Sequence, residues 1–64
     1  MSSISAFVSV AQEMQSARDL YGRAPSGFKK DAARLHLGEA EEAMRAHREA
    51  DCLRSVSAAV AALE

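Results

Sequence analysis

Apolar side chains return every three or four positions through most of the chain, the period of a helix with one buried side. Placed at about 100° per residue, Ile4, Phe7, Val10, Ala11, Met14, Ala17 and Tyr21 fall within roughly 140° on a helix over residues 3–21. Ser5, Ser9, Gln12, Glu13, Ser16 and Asp19 take the other side. Ser2 or Ser3 caps the start, and Gly22 suits the left-handed residue that commonly follows a last turn.

The run Gly22-Arg23-Ala24-Pro25-Ser26-Gly27 breaks the pattern, because two glycines and a proline sit badly inside a helix. Ser26 is the expected N-cap of a second helix over about 27–48, antiparallel to the first across this short loop. Its predicted inner side carries Phe28, Ala32, Ala33, Leu35, His36, Ala40, Ala43, Met44, Ala46 and His47. Lys30, Asp31, Arg34, Gly38, Glu41, Glu42, Arg45, Arg48 and Glu49 are placed outside.

Neither glycine nor proline marks the next boundary. Continued as one helix, Cys52, Leu53, Val56, Ala59, Val60 and Leu63 would form a stripe about 180° from the first one. A turn near Arg48 to Asp51 puts both stripes into one core, with Asp51 as N-cap of a third helix over about 52–63. The rival is one long rod from Phe28 onward, its far stripe buried by a second chain. The expected fold is all-α: a compact antiparallel three-helix bundle over residues 1–64, alone or as a dimer. In that bundle Met14 meets Leu35, Phe7 and Val56 meet Ala43, and Val60 meets Ala40.

Composition supports this reading. Apolar residues make up 48% of the chain, but 14 of them are alanine, the best helix former, and aromatic residues are few. Rows of alanine also let helices approach closely. A single domain of 64 residues is marginal in stability. One cysteine cannot form a disulfide within the chain, and this fits a reducing compartment. No stretch approaches 18 apolar residues, and the start lacks the pattern of a signal peptide, so the expectation is a cytoplasmic protein without a membrane partner. Leu63-Glu64 is a pair that often remains at a C-terminal tag junction, and no function is rested on it.

Candidate chemistry is sparse. His36 and His47 are eleven residues apart, about 16 Å along a helix, too far to share a metal. His36 and Glu39 lie on one side, but the facing positions Ala11, Met14 and Val60 cannot coordinate, so neither metal nor cofactor is expected. Cys52 and His47 could meet across the second turn, yet three short helices offer little cleft for catalysis.

Charge is distributed more tellingly. The net charge is −1, so nothing global draws the chain to nucleic acid. Residues 18–34 nevertheless sum to +3 and residues 39–51 to −3, which makes the loop end basic and the other end acidic. Lys29 and Lys30 stand in a first helical turn, against the macrodipole, as a residue serving a partner would. Val8, Leu20 and Leu37 fall at or beyond the edges of their apolar faces and are predicted to be exposed.

The functional expectation is a non-catalytic interaction module. It docks another protein, or a second copy of itself, around Val8, Leu20 and Leu37, while Arg23, Lys29, Lys30 and Arg34 steer an acidic partner. A nucleic-acid accessory protein using the basic loop end is the alternative, although the second helix turns acidic after a third of its length. A small enzyme or metal-binding protein ranks third.

Overall fold

The computed structural model describes the backbone from Ser2 to Glu64 and the side chains from Ser9 onward. Three helices follow one another: α1 Ser2–Arg23, α2 Phe28–Arg45 and α3 Glu49–Leu63. They pack as an all-α three-helix bundle of about 40 × 17 × 15 Å.

Each connection has a local cause. α1 runs two residues past the expected end and stops ahead of Pro25, which drives the residue before it out of helical geometry. The Ala24 N–H closes the last turn by donating to the Tyr21 carbonyl at 3.2 Å. Ser26 is not the N-cap of α2. That position belongs to Gly27, at φ 158° and ψ −179°, a region essentially reserved for glycine. Its carbonyl accepts the first helical bond from the Asp31 N–H at 3.0 Å.

The second turn exists, but it comes earlier than expected, at Ala46 to Arg48. The Arg48 N–H donates to the Ala43 carbonyl at 2.8 Å and the His47 N–H to the Met44 carbonyl at 3.1 Å. These two bonds are the pair that defines a Schellman ending, and His47 takes its left-handed position at φ 60°. Helices usually place glycine there, so a histidine hid the boundary. Arg48, not Asp51, is the N-cap of α3, and its carbonyl accepts from the Cys52 N–H at 2.9 Å. Glu49 and Asp51 occupy the first turn instead, where carboxylates complement the helix dipole.

The core is built from Val10, Met14 and Ala17 of α1, Ala33, Leu37, Ala40 and Ala43 of α2, and Cys52, Val56 and Ala59 of α3. Tyr21, Met44, Val60, Ala62 and Leu63 pack against it half-buried. α2 and α3 form the most extensive pairing, and α1 rests more on α3 than on α2. Small residues make that hairpin tight: four of the seven core positions on α2 and α3 are alanine. Expected inner positions Ile4 and Phe7 have side chains outside the described residues, and Ala11 is exposed.

The predicted face of α2 is corrected. Phe28 and Leu35, expected inside, are 82% and 72% exposed, whereas Leu37, expected at the edge, is buried at 7%. Leu37, not Leu35, therefore occupies the core with Met14. The reason is steric. The true face steps through Ala33, Leu37, Ala40 and Met44, at four, three and four residues, a narrow seam in which small and large side chains alternate. Two bulky side chains outside that seam had pulled the apparent apolar direction toward themselves.

Candidate protein-interaction face

The four cations expected to steer a partner do not share one role. Arg23, Lys29 and Arg34 are exposed around the loop between α1 and α2. Arg23 turns back along its own helix, with Nε donating to the Asp19 carbonyl at 3.4 Å. Lys30 is half-buried: its Nζ donates to the Ala24 carbonyl at 3.1 Å and stands 4.8 Å from the centre of the Tyr21 ring. Its ammonium holds the end of α1 to the start of α2. Arg34 borders a shallow cleft between α1 and α2 with Arg18, Tyr21, Gly38 and Glu41, and there Arg18 is ion-paired to Glu41.

The apolar half of the expectation fares differently at each residue. Leu20 is 43% exposed on α1. Val8 lies outside the residues whose side chains are described. Leu37 is buried in the core and cannot take part in docking.

Two residues expected in the core, Phe28 and Leu35, are the most exposed large apolar side chains among the described residues. Phe28 and Leu35 are seven apart on α2, which puts them about 20° apart around the axis and about 10 Å apart along it. Ala32 lies between them and leaves the middle of the stripe flat. Asp31 and Arg34 are exposed along one edge of that stripe. A signal for this arrangement was available: Ala33, Leu37, Ala40 and Met44 already form a complete seam without Phe28 or Leu35.

The histidines and the cysteine are not gathered into a reactive group. His36 is half-buried with Nδ1 3.1 Å from the Glu39 Oε1 on the same helix. His47 is exposed at the second turn, while Cys52 is fully buried. Burial pushes the Cys52 thiol above its ordinary value, which disfavours the thiolate a nucleophile needs. Among the described residues, no three histidine, cysteine, aspartate or glutamate side chains are placed to hold a metal ion. No described helix is long and apolar enough to cross a membrane.

No protein-family model, curated protein or solved structure matches this chain.

Proposed function

We propose that this protein is a small, non-catalytic interaction module whose docking face is the outer side of α2, centred on Phe28 and Leu35. The observation that carries the reading is the exposure of these two large apolar side chains on one stripe, while the core closes without them. A phenylalanine at 82% exposure contributes little to folding, so its apolar area is free for a partner. Arg23, Lys29 and Arg34 border the same end of the helix and favour encounter with a partner that carries acidic groups. The nucleic-acid alternative has less support, because Lys30 is engaged within the fold and Asp31 and Glu39 are exposed on the same helix.

The test is affinity capture from the native host, comparing the wild-type chain with a Phe28→Ser/Leu35→Ser variant by quantitative mass spectrometry. A specific interactor, another protein or the same chain, should be captured by the first and lost by the second. Helix content by circular dichroism should stay unchanged. Equal capture by both proteins overturns the reading.

A further inference from the structure

We infer that the occupant of this face is a second copy of the chain, seated antiparallel on α2 about a twofold axis near Ala32. The inference rests on the reading above, that the outer side of α2 docks a protein. What it adds is the identity of that protein.

The stripe is self-complementary when reversed. Phe28 stands four residues before Ala32 and Leu35 three residues after it. Two such helices packed antiparallel about Ala32 therefore bring Phe28 of each copy onto Leu35 of the other, and the two alanines allow close approach at the crossing. In this arrangement the same edge of each helix faces itself. The edge carrying Asp31 and Arg34 then meets its own copy with the charges exchanged, so that Asp31 of one copy lies within reach of Arg34 of the other, twice. The two Asp31 carboxylates approach the axis, and the two Arg34 guanidiniums bracket them. Among the described residues neither side chain is paired within its own chain, so both are available for this contact.

The long-range charges agree with the same direction. Antiparallel pairing sets the turn holding Glu39 of each copy beside the basic loop end of the other. A uniformly acidic or basic partner would leave one sign of the Asp31 and Arg34 edge unmatched. The second copy matches both. Two helical turns make a small interface, so the dimer is concentration-dependent rather than permanent.

Sedimentation equilibrium of the full chain, from micromolar to millimolar concentration, tests the inference. The mass should rise toward that of a dimer. Leu35→Ser, which removes two symmetric contacts at once, should weaken association roughly a hundredfold. Asp31→Arg and Arg34→Asp should each weaken it about tenfold by placing like charges together, and the double exchange should restore it. Circular dichroism of each variant keeps folding separate from association. A monomer at every concentration, a dimer indifferent to Leu35→Ser, or a double exchange that does not recover overturns the inference. If the chain is monomeric while host capture still depends on Phe28 and Leu35, the inference falls alone and the interaction reading stands; if both fail, both fall.

Discussion

Lys30 and Tyr21 form a cation–π pair across the first loop, with Nζ 4.8 Å from the ring centre and a hydrogen bond from the same ammonium to the Ala24 carbonyl. Both side chains are half-buried where the end of α1 meets the start of α2. A first-turn cation that opposes the helix dipole is thus repaid by fastening α1 to α2, two helices that otherwise touch sparingly.

Lys30→Ala should therefore destabilise the fold by about 1–2 kcal/mol, the range for a partly desolvated cation–π contact plus one charged hydrogen bond. In a domain this small the melting temperature should fall by roughly 4–8 °C for each kcal/mol. Lys29→Ala, one position away and exposed, should change stability by less than about 0.5 kcal/mol. Thermal melts of the two variants decide the matter, and equal losses would contradict a structural role for Lys30.

The orientation of α2 can be tested just as directly. Leu37→Ala opens a cavity in an alanine-rich seam that has few side chains able to collapse into it, and should cost about 2–4 kcal/mol. Leu35→Ala removes a side chain 72% exposed and should cost less than about 0.5 kcal/mol under dilute conditions. Urea denaturation measures both. A larger loss at Leu35 than at Leu37 would mean that the helix is turned the other way.

How much of this was legible beforehand depended on what kind of signal each residue carried. Pro25 and Gly27 mark the first loop through their backbone chemistry, whereas Gly22, expected to end α1, lies inside it without the left-handed conformation. The phase change between Ala43 and Val56 demanded a second turn, and one is present. Its position escaped because the left-handed residue is His47, which shows no conformational preference strong enough to read. The face of α2 escaped for a different reason. In a helix rich in alanine the buried side is chosen by how closely helices can approach, and Phe28 and Leu35 carry apolar area without saying which way it points. The expected apolar docking residues inherit that error: Leu37, placed among them, is buried, and Leu35, placed in the core, is exposed. The contact of Lys30 with Tyr21 was not legible, because the two residues lie on different helices.

The second turn carries a strain that substitution can remove. A left-handed backbone costs an L-residue about 1–2 kcal/mol, whereas glycine adopts it freely but gains more freedom when unfolded. His47→Gly should therefore stabilise the protein by up to about 1 kcal/mol, and His47→Val, branched at Cβ, should destabilise it by at least about 1 kcal/mol. Chemical denaturation of the three proteins gives the order glycine, histidine, valine. Any other order would show that His47 makes contacts that outweigh its backbone cost.

Cys52 offers a pH signature of core burial. Its side chain is fully buried, and desolvation raises the thiol above the ordinary value of 9.0. A group whose folded value is raised contributes its full stability below the unfolded value, and the contribution is lost as pH rises through the folded one. Wild-type stability should then decline from about pH 9 upward relative to Cys52→Ala, in which no thiol is present to ionise. Every other ionisable group is common to both proteins and cancels in the difference. At neutral pH the alanine variant should be the less stable by about 1 kcal/mol, for the lost sulfur contacts, and that gap should narrow in alkaline solution. Urea melts of both proteins at neutral pH and above pH 10 measure the gap, and the rate of thiol labelling should follow opening of the hairpin rather than surface access. A gap that stays constant with pH, or labelling at the speed of an exposed thiol, would place Cys52 outside the core.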